Sequence, residues 1–162
     1  MDMLVPFEAT LMVRDRCLCL HAQRAARVLG RRFDDALRPH GLTNEQFSLL
    51  MALNRPQTAS IGQLATQLGA DRTTLTAALK PLMREGLATI HADGKDRRAR
   101  RAALTPVGHA RLAGALPVWL SMHEALEAKL DAPDPAQMRH GLTVLAAWPG
   151  MTTMSDNQER AP

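Results

Sequence analysis

A single residue, Ala70, separates the stop signal of one short helix from the start signal of the next, so the two must meet at a sharp corner. Ser60 and Gln63 have capping-box spacing, in which each side chain satisfies a backbone donor at the helix start. Ile61, Leu64, Ala65 and Leu68 then fall on one face at helical spacing. Gly69 can take the left-handed conformation that ends a helix, and Asp71 can cap the helix that follows. That second helix has two faces. Leu75, Leu79 and Leu82 point inward and leave Arg72, Thr73, Thr76 and Lys80 outside.

After the second helix, residues 89–104 read as two strands joined by a basic loop, with Asp93-Gly94 supplying turn chemistry. Helix, tight turn, helix, basic hairpin is the order of a winged helix-turn-helix. Charge is concentrated in this segment. From Asp71 to Arg101 there are eight Lys/Arg against four acids, a balance of +4 that equals the formal charge of the whole chain. Beyond Leu104 the balance reverses, with four Lys/Arg against six acids. Positive charge gathered in one segment is the electrostatic footprint of a phosphate-binding surface. Short hydroxyls and long cations near a helix N-terminus suit entry into the major groove of DNA. A polar helix face alone also describes an ordinary solvated surface; the basic hairpin beside it favours DNA. Arg97 and Arg98 lie just past the hairpin tip, where an Arg can enter a narrow minor groove. The candidate DNA-binding residues are Arg72, Thr73, Thr74, Thr76 and Lys80 on the helix, and Lys95, Arg97 and Arg98 on the hairpin.

These residues carry a family resemblance. Asp93-Gly-Lys-Asp96-Arg97-Arg98, followed by Leu104-Thr105-Pro106-Val-Gly108, is similar to the wing of MarR-type transcriptional regulators and the entry to their long fifth helix. Gly69-Ala-Asp71-Arg-Thr-Thr-Leu-Thr, then Leu82 to Gly86-Leu87, resembles the family's recognition helix and exit. Pro39-His-Gly41-Leu42-Thr43-x-x-Gln46-Phe47 resembles its helix 1 to helix 2 junction, and the likeness runs from about Arg14 to Trp148. Two residues depart from the pattern: Ala77 stands where many relatives carry Arg, and Pro81 lies inside the recognition helix, where a kink or local loosening is expected.

The chain ends are expected to be helical and to meet a second copy. Helix 1 is expected from about Leu11 to Leu37, with Leu18, Ala22, Ala25, Leu29, Phe33 and Leu37 along one stripe. Thr43 and Gln46 form a second capping box, which opens a helix carrying Phe47, Leu50 and Met51. Thr105 can cap a long helix with Pro106 at its first position, reaching about Leu130 and bent near Pro117. Leu112, Leu116, Trp119, Met122, Leu126 and Leu130 form an apolar stripe on a helix too extended for one small core. Asp134 and Pro135 start a last helix through Leu142, Leu145 and Trp148. The expected architecture is mainly α (α+β). Residues 1–40 and 106–150 form a helical dimerisation region, 41–105 the winged helix-turn-helix, and 151–162 a disordered tail. At 162 residues the chain is the size of one domain, with a core of Leu, Ala, Val and Met because Tyr is absent and aromatics are few.

An enzyme is disfavoured: there is no glycine-rich phosphate loop, no nucleophile elbow and no His pair at metal-ligand spacing, so neither cofactor nor metal is expected. An architectural DNA-bending protein would need an apolar wedge at the hairpin tip, which here reads Asp-Gly-Lys-Asp. The absence of a signal peptide pattern, of a membrane-spanning stretch and of a plausible disulfide between Cys17 and Cys19 fits a cytoplasmic protein. The expectation is a ligand-responsive repressor that binds an inverted repeat in double-stranded DNA as a homodimer. The resemblance implies a small-molecule cleft between the dimer helices and the winged module. Candidates to line it are Cys19, His21, Phe47, Met51 and Trp119, with a small aromatic or phenolic effector. The alternative is a redox-responsive repressor. Cys19 coincides with the peroxide-reactive cysteine of the family's organic-hydroperoxide branch, although the tyrosines that hold that cysteine are absent here. Cys19 can also be read as a small hydrophobe on the core face of helix 1.

Overall fold

A computed structural model describes residues 4–94 and 99–147. Lys95, Asp96, Arg97, Arg98, Trp148 and the expected tail 151–162 lie outside these residues. The chain divides into two compact units, one ending at Met122 and the other beginning at His123.

The first unit opens with two helices in place of the single expected one. Helix α1 spans Phe7–Arg16 and α2 spans Leu18–Leu37. Between them Cys17 adopts an extended backbone (ψ 99°), and its Sγ accepts a hydrogen bond from the Leu20 N–H at 3.4 Å. A thiol capping a helix start carries no sequence signature comparable to Ser, Thr or Asp, and no Pro or Gly marks the break. The expected stripe buries only its C-terminal end, Phe33 and Leu37, while Leu18 is 65% exposed.

A 3-10 turn, Arg38–His40, ends in left-handed Gly41 (φ 67°) and leads to α3, Asn44–Leu53. Both arms of the Thr43/Gln46 capping box are made, at 3.2 and 2.9 Å. The Asp34 carboxylate also accepts the Asn44 N–H at 2.7 Å, which fixes α3 to α2. Strand β1 (Ala59–Ser60) runs straight into α4 (Ile61–Leu68), whose Ser60/Gln63 box is likewise complete. Gly69 (φ 63°) closes α4, and Asp71 opens α5, Arg72–Arg84. Helix α5 runs on through Pro81. The missing donor deprives the Ala77 carbonyl of its helical partner, but Ala77 is exposed and water can satisfy it.

Strands β2 (Ala88–Ala92) and β3 (Arg100–Leu104) form the hairpin, and β1 adds to the far side of β3, giving the antiparallel order β1-β3-β2. The connection is longer than a two-residue turn: the Asp93 N–H donates to the Ala99 carbonyl at 2.9 Å and closes a loop from Asp93 to Ala99. Leu50, Leu64, Leu75, Leu79, Leu82 and Leu87 are fully buried, joined by Phe47 and the strand residues Ala59, Ala88 and Ala102. Among the described residues no buried side-chain polar atom lacks a partner.

Helix α6, Pro106–Glu127, begins as expected. The Thr105 hydroxyl accepts the Gly108 N–H at 3.0 Å and donates to the Gly86 carbonyl at 2.6 Å. The helix continues through Pro117 and stops three residues short of Leu130, where successive turn hydrogen bonds carry the chain on. In the second unit, α7 spans Pro135–Ala146, capped by the Asp134 side chain, and none of its residues is buried. Arg139 pairs with Glu127, and His123 lies 3.3 Å from the same carboxylate.

The start of α6 presses directly on the exit from α5. A Cβ at Gly108 would overlap the Leu87 carbonyl oxygen and come within 2.9 Å of its carbon, both rigid backbone atoms. At Gly114 a Cβ would meet only His40 Nδ1, at 3.6 Å, an ordinary contact. Gly108→Ala should therefore destabilise the fold by about 1–3 kcal/mol or more, the range for overpacking. Gly114→Ala should stabilise it by up to about 1 kcal/mol through helix propensity. Chemical denaturation of the two variants checks the pair; equal effects would show that Gly108 is no point of close approach.

Candidate nucleic-acid interface

The outward face of α5 is set by its cap. The Asp71 carboxylate accepts the Thr74 N–H at 2.8 Å and the Thr74 hydroxyl at 2.7 Å. These bonds, the backbone one first, hold the Asp71 carboxyl below its ordinary range. A depressed carboxylate favours the folded state above that range and loses the effect as pH falls through it, so the cap is intact at neutral pH. Thr74 thus positions the helix start, with its hydroxyl proton already donated. Thr76 donates its hydroxyl to the Arg72 carbonyl at 2.7 Å and keeps its acceptor lone pairs. Arg72, Thr73 and Lys80 are exposed along the same helix. Of the hairpin candidates, Lys95, Arg97 and Arg98 are outside the described residues.

The residues that hold the hairpin escape a reading of the sequence alone. Arg101 Nε donates to Asp93 Oδ2 at 2.6 Å, and its Nη1 donates to the Thr58 carbonyl ahead of β1. Asp93 is 12% and Arg101 33% exposed, so this pair is sheltered from solvent screening. It locks the root of the basic loop to the sheet. The strand alternation offers the available signal, because neighbours Arg100 and Arg101 must face opposite sides of β3. A second arginine anchors α6. Arg111 Nη1 donates to the His40 carbonyl at 3.2 Å and lies 4.0 Å from Glu85, the residue that ends α5.

Between the N-termini of α4 and α5 and the start of β3 lies an open notch of about 470 Å³, lined by Ser60, Ile61, Gly62, Arg72, Thr76 and Arg100 with Ala99. Gly62 leaves room for the Arg72 guanidinium: a Cβ there would stand 3.2 Å from Nη2.

The expected ligand cleft is partly assembled. Phe47 and Trp119 stack with ring centroids 6.0 Å apart and planes at 15°. With Met51, Ser48, Ala52, Gln67 and Leu68 they line a cleft of about 370 Å³. Met51 is 40% exposed, so the cleft has an accessible thioether on its wall. Cys19 and His21 are not among its lining residues in the single chain; both are exposed on the first turn of α2. Within the single chain the Cys19 thiol is exposed. Its Sγ accepts a hydrogen bond from Gln23 Nε2 at 3.3 Å. Among the described residues no group of three or more metal-ligating side chains converges, and no helix is long and apolar enough to cross a membrane.

Comparison with known proteins bears on the whole arrangement. A family model described as the MarR family matches residues 40–99, which run from the end of the 3-10 turn to the loop before β3. The crystal structure of the transcriptional regulator MosR of M. tuberculosis in complex with DNA is 37% identical. It superposes with a TM-score of 0.74, covering 81% of this chain and 94% of that one. The transcriptional repressor CouR, bound to a 23-mer DNA duplex, is 28% identical with a TM-score of 0.67, over 83% of this chain and 93% of that one. The transcriptional activatory protein BadR of Rhodopseudomonas palustris is 37% identical over 76 residues, 45% of this chain. That match spans only 43% of the length of this curated relative. With the corner between α4 and α5, the anchored hairpin and the near full-length likeness to MosR in place, the chain belongs to the MarR family of winged helix-turn-helix transcriptional regulators.

Proposed function

We propose that this DNA-binding regulator is a repressor that binds an inverted repeat as a homodimer and is released by a small aromatic or phenolic effector. The observation that carries the DNA contact is the outward face of α5. Arg72, Thr73, Thr76 and Lys80 are exposed there, beside a hairpin whose root is locked by Arg101 and Asp93. The first two turns of α5 enter the major groove, and Lys95, Arg97 and Arg98 on the wing reach the backbone or the minor groove.

Apolar surface on the flanking helices supports the dimer. Phe7, Met12, Val13 and Leu18 on α1 and α2 are exposed, as are Leu142, Val144 and Leu145 on α7. Apolar residues at this density on helices that bury almost nothing within the chain mark a protein interface. A two-fold dimer presents two α5 helices to half-sites about one helical turn, ~10 bp, apart. Repression is supported by the likeness to CouR, a transcriptional repressor, while BadR is a transcriptional activatory protein. Replacing both Arg97 and Arg98 with Ala should weaken binding to every sequence and lower the salt slope by about 0.9 for each phosphate no longer neutralised. Unchanged binding at moderate salt would refute the wing assignment.

The stacked Phe47–Trp119 pair beside an apolar cleft supports an aromatic effector, since a flat ring can extend the stack. A simple phenol at millimolar concentration should change Trp119 fluorescence in a Trp148→Phe background and release DNA, and Phe47→Ala should abolish both responses. The exposed Cys19 thiol, with its Gln23 donor, carries the redox alternative, in which sulfenic acid adds bulk and polarity near the N-terminus of α2. DNA release by cumene hydroperoxide in the parent but not in Cys19→Ser, with phenols inert, would replace the effector reading by the redox one.

A further inference from the structure

The notch between α4, α5 and β3 is lined by two arginines and, among the described residues, by no acid. Arg72 comes from the first turn of α5 and Arg100 from the first residue of β3, and both line the cavity. Among the described residues neither makes an ion pair or a side-chain hydrogen bond. The neighbouring carboxylate, Asp71, is engaged by Thr74, and the neighbouring arginine, Arg101, has turned to the other face of β3 to meet Asp93. Two like charges lining one cavity favour an anion between them. Each guanidinium offers planar, bidentate donor geometry that fits the two free oxygens of a phosphodiester. Gly62 contributes by having no side chain, because any Cβ there would crowd the Arg72 head. Thr76 adds a hydroxyl able to accept on the same wall.

We propose that Arg72 and Arg100 together grip a single backbone phosphate of the bound DNA in this notch. The assignment rests on the DNA-binding reading above and refines it. Arg72 fixes the register of α5 on the duplex rather than reading a base, and Arg100 adds a backbone contact that belongs to the strand, not to the wing tip. Both contacts are indifferent to sequence, as phosphate contacts are.

The test is a double-mutant cycle on the full-length protein, using Arg72→Gln, Arg100→Gln and the double variant. The probes are two duplexes of about 30 bp, one A·T-rich and one G·C-rich, titrated at several salt concentrations around 0.1 M. Each single variant should bind both duplexes about tenfold more weakly than the parent, the loss expected for a charge-assisted hydrogen bond. Because the two arginines share one phosphate, the double variant should lose about 30-fold, well short of the hundredfold product of independent contacts. Its salt slope should fall by about 0.9, one phosphate rather than two. Arg72→Lys, which keeps the charge but not the fork, should fall between parent and Arg72→Gln on both duplexes. Both side chains are exposed, so an unchanged melting temperature is the expected check on folding. Strictly additive losses, single variants that bind like the parent, or a loss confined to one duplex would each overturn the shared grip. A parent that binds neither duplex would instead overturn the DNA-binding reading itself.

Discussion

The turn from α4 into α5 sets the geometry on which the rest of the interface depends. Gly69 provides the positive φ, the Ala70 N–H returns to the Ala65 carbonyl at 2.9 Å, and Asp71 caps the next helix one residue later. Nothing between the two helices is free to vary. The inward leucines Leu64, Leu75 and Leu79 bury together because the corner holds the helices at a fixed angle, and the polar face of α5 is turned outward as a consequence. The same construction, a left-handed glycine followed within two residues by a side-chain cap, recurs at Gly41–Thr43, while the Thr105 cap returns to the Gly86 carbonyl across the hairpin. Each corner converts a short run of sequence into a direction.

Positive charge is divided between two tasks. Arg101 and Arg111 are structural: one ties the root of the hairpin to Asp93 and the Thr58 carbonyl, the other ties α6 to the His40 carbonyl near Glu85. Both point toward partly buried acceptors, where a guanidinium satisfies several groups at once. Arg72, Arg100 and Lys80 have no such partners among the described residues and face outward. The net +4 of residues 71–101 is therefore not spread evenly over the surface. Acids neutralise the cations that hold the scaffold and leave uncovered those on the side of α5 and the notch.

Much of this is legible in the sequence because capping is local chemistry. Both capping boxes, the Asp71 and Thr105 caps, Gly69 and the inward leucines of α5 follow from spacing over a few residues. What the sequence hides depends on contacts distant along the chain or on weak signals. The break at Cys17 rests on a thiol acting as a cap, so the sequence reads as one helix where the structure has two. The two internal prolines, Pro81 and Pro117, lie within helices that run on past them, each removing one backbone donor. The pairing of Arg101 with Asp93 is masked by a run of arginines in which alternation alone separates anchor from contact. Phe47 and Trp119, by contrast, are expected in one place and do stack.

The central claim is that two copies of the winged module act together on one duplex. Native mass spectrometry of the full-length protein on DNA from its own promoter region, read alongside a hydroxyl-radical footprint, tests it most directly. The account predicts two chains per duplex and a footprint symmetric about its centre, with half-sites about one helical turn apart. One chain per duplex with a one-sided footprint would contradict it.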